Sequence, residues 1–270
     1  MASDWRSRTV GPDAHETRGK TAAQRLRRLD QFLMAYDPGL LNPKEAVVID
    51  LGYGRIPVTT SEWFDRLRGR YPHVRMVGVE RDVERVKAAA SVARDGLSFR
   101  QGDFQLPLKP SERVRLLRAL NVLRQYEEGA AIQAHEQLVA QLDEGGLIAE
   151  GTCDPPGRTM VVTLLRRTEG RVRSEGLLFA SGFQEGFEPR SFQAVLPKHL
   201  IHRVVEGEPI FDFFQAWDMA AKISRSQAQF GARQHFVAAA EALASRVEGV
   251  VTRRPWLRNG WLLWTGAPYP

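Results

Sequence analysis

The chain has 270 residues, 43% of them hydrophobic and 26% charged, and its 38 Lys plus Arg against 32 Asp plus Glu leave a net charge of +6. Such a chain can bury a full core, which excludes wholesale disorder, and its single cysteine, Cys153, excludes an internal disulfide framework and fits a reducing compartment. No apolar run approaches the roughly 18 to 20 residues of a membrane span, and the N-terminus lacks a signal peptide's apolar stretch, so a cytoplasmic protein without a membrane partner is expected; the small positive excess selects no partner.

Residues 1–18 are polar, contain Gly and Pro and show no apolar period, which predicts a mobile arm. Over 19–43 an N-terminal helix and its lead-in are expected, starting near Thr21 because Thr21 and Gln24 stand at capping-box spacing. Leu26, Leu29, Phe32, Leu33 and Tyr36 repeat on one face, and Arg25, Arg27 and Arg28 lie largely off it. From 44 to 185 the rhythm changes to short apolar strands, "AVVID", "RMVGVE", "LSFRQG", "VRLLRAL" and "GLIAEG", separated by helices around 58–70, 82–94 and 127–143. Asp82 can cap the second helix, and "DEGG" ends the third. This alternation predicts an α/β fold with a doubly wound, mostly parallel sheet. "TMVVTLLRRTEGRVRSEGLLFASGF" reads as a hairpin turning at its Glu-Gly pair. Residues 186–270 are expected to be a helical region packed on the sheet. One helix carries Ile210, Phe213, Phe214, Trp217 and Ala221, a second carries Phe236, Ala240, Leu243 and Val247, and a last strand falls within 261–266.

The segment "VVIDLGYGRIPVTTSEW" closes the first strand with Asp50 and follows it with Gly52 and Gly54. A strand running through a tight Gly loop into a helix aims backbone N–H groups at whatever lies beyond the strand end. Pro57 suits a first helical position and Thr59, Thr60 or Ser61 can cap; an ordinary strand-to-helix turn is the competing reading. Glu80 and Asp103 end the second and third strands beside the same crevice. Buried unpaired charge costs several kcal/mol, roughly, so a ligand with donors is the simplest satisfier of the three carboxylates. A dinucleotide site would need G-x-G-x-x-G, but Pro57 holds its third position and Asp50 would face a pyrophosphate. A cationic cofactor without phosphates fits better.

In these residues the chain resembles the class I S-adenosylmethionine-dependent methyltransferases. The resemblance covers about residues 44–152 and rests on D-x-G-x-G at Asp50, Gly52 and Gly54, on Glu80, on "GDF" at 102–104 and on "ALNVL" closing the fourth strand. It implies a Rossmann-like methyltransferase fold with S-adenosylmethionine as cofactor. By that likeness Asp50, Gly52 and Gly54, with Tyr53 between them, wrap the methionine and ribose part, the Asp50 carboxylate facing an ammonium and a sulfonium. Glu80, followed by Arg81, would hold the ribose hydroxyls, Asp103 would accept from the adenine amino group, Phe104 would flank the ring and Asn121 would line the methyl-transfer site. Where the family often has a third glycine, this chain has Ile56. "DLGYG", "PVTT", "NVLRQY", "EGTCD" and "LPKHLIHR" together are similar to an uncharacterised actinobacterial-type group of these enzymes.

Other motifs are weaker. "CDPPG" at 153–157 imitates an amine-methylating loop but follows the fifth strand and has Gly157 where an aromatic should stack. Cys153 as a thiolate nucleophile competes with its reading as a small buried filler. His199 and His202 share a helical face, but no acidic residue lies close in sequence to complete a metal set, so no metal is expected. The aromatics of the C-terminal region are read mainly as core, and Arg25, Arg27 and Arg28 as a solvated face. The expected activity is methyl transfer to a small molecule, with RNA as an alternative acceptor and a non-catalytic cofactor-binding partner protein as a second alternative. Asn121, Tyr126, Glu150 and His202 are the candidate catalytic groups, and the acceptor is expected to enter from the side formed by 1–36 and 155–250.

Overall fold

The computed structural model describes residues 21–269, so the arm expected over 1–18 lies outside the described residues. Strands β1 (Ala46–Leu51), β2 (Arg75–Glu80), β3 (Leu97–Gln101), β4 (Arg113–Leu120) and β5 (Leu147–Cys153) pair in parallel in the order β3-β2-β1-β4-β5. This is the doubly wound half that the alternating pattern predicts. Beyond β5 the same sheet continues through β6 (Thr159–Thr168), β7 (Arg171–Ser181), β9 (Trp261–Trp264) and β8 (Val250–Val251), every pairing antiparallel. The antiparallel half is larger than expected because the C-terminal region, read as helical with one possible strand, supplies both β9 and the edge strand β8. The hairpin turns at Glu169 and Gly170, both with positive φ (54° and 73°), the twist that a two-residue connection between right-twisted strands requires.

Helices cover both faces. On one lie α1 (Arg27–Tyr36), α2 (Val58–Arg70) and α8 (Arg254–Arg258), whose Leu29, Phe32, Trp63 and Trp256 pack on Val48, Leu116 and Ala149 of the strands. On the other, α4 (Glu128–Ala140) sets Ala131 and Leu138 against Ile49, Val79 and Leu117. The same face of the antiparallel half carries α5 (Lys198–Ile201), α6 (Pro209–Ile223) and α7 (Ala232–Ala244), with Phe213, Trp217 and Phe236 buried around Phe179 and Trp264. Burial of each such aromatic contributes about 1.5–3 kcal/mol, so apolar area is the main tie of α6 and α7 to the sheet. The short α3 (Val83–Ala89) follows β2 and is capped by Asp82, whose carboxylate accepts from the backbone N–H of Glu84 and Arg85. Among the described residues no helix is long and apolar enough to cross a membrane.

Two local expectations are corrected. Helix α1 begins at Arg27 and not near Thr21, because Gln24 takes a left-handed conformation (φ 63°). Its backbone N–H is bound by the Glu62 carboxylate, at 3.0 and 2.9 Å, instead of entering a capping box. Pro57 is the N-cap of α2 and not its first residue, and none of Thr59, Thr60 or Ser61 caps that helix. The Thr60 hydroxyl has another partner, Asp50.

Candidate active site at the strand ends

The loop after β1 is built on left-handed glycines: φ is 70° at Gly52 and 82° at Gly54. Gly52 N–H donates to Val79 O at 2.7 Å, closing the loop onto the end of β2. A Cβ at Gly52 would lie 2.7 Å from Cγ2 of Val122, so the position needs glycine for its backbone angle and for its space. Gly52→Ala is therefore expected to lower stability by about 1–3 kcal/mol in urea titration. The matched change Gly69→Ala, at a site in α2 with nothing within 4 Å, should raise it by about 0.5–1 kcal/mol. Equal shifts of the two midpoints would contradict the loop geometry.

Asp50 does not await a cationic ligand, contrary to expectation. Strand alternation turns its side chain to the α1–α2 face, and Arg118, its register partner on β4, is directed the same way. Arg118 grips both carboxylate oxygens, Nε to Oδ1 at 2.9 Å and Nη2 to Oδ2 at 2.7 Å, and Thr60 Oγ1 donates to Oδ2 at 2.6 Å. The other end of the guanidinium donates to Asp30 of α1, which also accepts from Arg66 of α2. The Trp63 ring lies 4.1 Å from Arg118 Cζ. Burial pushes the Asp30 carboxyl up to about 6, outweighing the pull of Arg118 and Arg66, whereas Asp50 and Asp30 overcome burial and hold the Arg118 guanidinium above its ordinary value. This chain of charges ties α1, α2, β1 and β4 together beneath the glycine loop. No sequence motif marks Asp30, and for Arg118 the available signal is an arginine inside the apolar strand "VRLLRAL", which also carries Arg115.

The crevice itself is formed by the other strand ends. Glu80 Oε2 accepts from Gly54 N–H at 2.9 Å, and Oε1 accepts from the N–H groups of Arg81 and Asp82 at 2.9 and 3.4 Å. A carboxylate has about four acceptor positions, so Glu80 keeps capacity for an incoming hydroxyl. Asp103 Oδ1 accepts from Gln105 N–H at 2.9 Å, which shapes the turn after β3. That loop is braced by Arg100, paired with Glu112 at 2.6 and 2.7 Å, and the pairing holds the Glu112 carboxyl below its ordinary value despite burial. Phe104 is buried, its ring centroid 5.3 Å from that of Tyr126. Burial pushes the Tyr126 phenol up, with Arg81 and Asp103 as its charged neighbours, so these three residues and Phe104 lie near one another beyond the strand ends. Tyr53 turns down onto Phe99 (centroids 5.3 Å), in space that Gly78 leaves open, and its buried hydroxyl has no hydrogen-bond partner among the described residues.

Asn121 stands at the end of β4 with φ 63°, and its side chain is committed to Cys153: Oδ1 accepts from Cys153 N–H at 3.0 Å and Nδ2 reaches Sγ at 3.3 Å. Cys153 is buried and its thiol is pushed up chiefly by burial, which fits the filler reading and not a thiolate. The two remaining candidate groups are elsewhere. Glu150 is 1% exposed beneath α4, bonded to His135 at 3.2 Å, and His202 is exposed beside Lys198. His199, which shares a short helix with His202, points inward instead, because burial of Leu200 fixes which side of α5 meets the sheet. The "CDPPG" stretch is a packed turn: Asp154 accepts from the N–H groups of Arg158 and Thr159, and a Cβ at Gly157 would lie 2.0 Å from Arg25 O. Of the N-terminal arginines, Arg25 and Arg28 reach backbone carbonyls of Asp154 and Asn259, at 3.2 Å each, while Arg27 is exposed.

No family model matches the chain, and no curated protein matches it. Solved structures with a partial likeness include the plantazolicin methyltransferase BpumL in complex with a triazolic desmethylPZN analog and SAH, with 14% identity, 53% of this chain and 50% of that chain covered, and a TM-score of 0.38. An O-methyltransferase family 2 protein from Planctomyces limnophilus in complex with apigenin shows 20% identity over 50% of this chain and 44% of that chain, with a TM-score of 0.33. LepI in complex with SAM shows 20% identity over 40% of this chain and 26% of that chain, with a TM-score of 0.32. The chain spans half or less of the length of these structures. Likeness of that degree carries no argument about activity, which has to come from the site.

Proposed function

We propose that this chain is an S-adenosylmethionine-dependent methyltransferase acting on a small molecule, of the class I type and of the narrower actinobacterial-type group that its motifs resemble. The observation that carries the reading is the cluster at the strand ends, where Glu80 accepts from Gly54 of the glycine loop and Asp103, Phe104 and Tyr126 lie together. A carboxylate anchored by Gly54 N–H can receive ribose hydroxyls, an aromatic pair can flank a purine, and acidic walls disfavour a phosphate-bearing ligand. When bound, S-adenosylmethionine supplies an electrophilic methyl group on sulfur. The residues here bind and orient it and exclude water, and transfer in line to a nucleophile asks little more of them. Tyr126, whose phenol burial keeps protonated, is suited to donating a hydrogen bond at the rim and not to removing a proton. Occupation of Arg25 and Arg28 by backbone carbonyls leaves the N-terminal helix a poor phosphate grip, which favours a small acceptor over RNA.

Calorimetric titration with S-adenosylmethionine and with its demethylated product tests the cofactor class. Micromolar binding at one site per chain is expected for both, and none for NAD or ATP. Transfer of a labelled methyl group to members of a small-molecule panel tests the activity; tight cofactor binding with no transfer to any acceptor would favour the non-catalytic alternative. Absence of binding for both cofactor forms would end the proposal.

A further inference from the structure

Away from the crevice, three ionisable side chains from three elements meet in the interior: His135 of α4, Glu150 of β5 and His199 of α5, exposed by 0%, 1% and 1%. One donor atom from each lies within 4.8 Å of the other two. We propose that this trio binds a zinc-class divalent metal ion, independently of the cofactor reading above. Two imidazoles and one carboxylate are a donor set that suits zinc or ferrous iron and not magnesium or calcium, which take oxygen ligands. Donors about 2.0–2.1 Å from a tetrahedral zinc stand roughly 3.3 Å apart. His135 Nε2 and Glu150 Oε2 are already 3.2 Å apart.

The hydrogen-bond inventory points the same way. Among the described residues Glu150 Oε1 and His199 Nδ1 have no hydrogen-bond partner, although both are buried. A self-contained polar network would pair them, since leaving a buried donor or acceptor unmade costs its full desolvation. Each imidazole has its other nitrogen held by a hydroxyl: His135 Nδ1 by Tyr269 at 3.2 Å and His199 Nε2 by Thr163 at 3.4 Å. Ligand histidines are oriented in this manner, by a second group behind the ring. Thr163 stands there because it is the register partner of Glu150 across β5 and β6, so the sheet delivers a ligand and its support to one face. Tyr269, whose hydroxyl bonds His135, also borders a cavity of about 350 Å³ lined by Ile132, Glu136, Val139 and the hairpin turn.

The test uses the full chain, stripped with chelator, loaded with ZnCl2 and freed of excess by gel filtration. About one zinc per chain is expected, together with a Co2+ derivative showing the intense visible bands of a low-coordinate nitrogen and oxygen site. His199→Asn and Glu150→Gln should retain no metal, Thr163→Val should bind about 10- to 100-fold more weakly, and His202→Ala should bind as the parent does. The proposal is overturned if the parent retains no zinc, if the trio variants hold as much as the parent, or if Co2+ gives the faint spectrum of an octahedral aquo ion. The two readings on the parent, its zinc content and its Co2+ spectrum, decide the matter even where a variant fails to fold.

Discussion

Arg118→Ala is expected to lower the free energy of unfolding by about 3–5 kcal/mol, because it leaves Asp30 and Asp50 as two buried carboxylates without their shared partner. Domain stability is about 5–15 kcal/mol in total, so the variant should show a much reduced urea midpoint or no folded baseline. The replacement of all three groups, Asp30→Asn with Asp50→Asn and Arg118→Met, should recover most of the loss, since no uncompensated charge is then buried. A single variant within about 1 kcal/mol of the parent would show that water reaches these groups and that the charge chain contributes little. Asp30 adds a pH signature. Its folded pKa, about 6, lies above the ordinary 3.8, so the fold takes up this proton first. Its contribution to stability is therefore greatest below pH 4, declines as pH rises to about 6 and is level above. Asp30→Asn should remove that slope.

Glu80→Ala should weaken binding of the demethylated cofactor by about 10- to 100-fold. A ribose hydroxyl donating to the acceptor position that Glu80 keeps open is worth about 1.5–3 kcal/mol, and every 1.4 kcal/mol is about tenfold in affinity. The variant also frees Gly54 N–H, whose acceptor is Glu80 Oε2 at 2.9 Å, so part of the loss comes from a loosened loop. Glu80→Gln separates the two contributions. It keeps the shape but turns an amide NH2 toward backbone donors, and should fall between the parent and the alanine variant in calorimetry while its urea midpoint reports on the fold. Parent-like affinity in Glu80→Ala would remove the crevice from consideration as a nucleoside site.

Much of the architecture was legible in residue order. Helix α2 runs over 58–70 as its apolar period predicts, the hairpin turns at Glu169 and Gly170, and the helices through Phe213 and Phe236 lie where their spacing puts them, except that α7 ends at Ala244, short of Val247. These features are local: a period of two or of 3.6 residues, a glycine after a strand and a cap are each complete within a few positions. For the same reason Gly52 and Gly54 could be picked out as turn-makers from the chain alone, and the φ of each is positive as a tight loop demands. Gln24 marks the limit of such reading, because a capping-box spacing there lost to a carboxylate, Glu62, donated by another helix.

What tertiary structure alone decided is which side chains satisfy one another. Asp50, Glu80 and Asp103 look alike in sequence as acidic strand ends, yet Asp50 lies inside the β1–β4 register beside Arg118, whereas Glu80, on the same face of the sheet, lies past the last β1–β2 pair and meets Gly54 N–H. Likewise nothing near His199 in sequence hinted at Glu150 or His135, which come to it only when β5 slides beneath α4 and α5. Local patterning follows from short-range sterics and from the burial of apolar faces, both written in consecutive residues. The pairing of buried charges depends on the low dielectric and on sub-ångström placement that arise only after distant elements have packed.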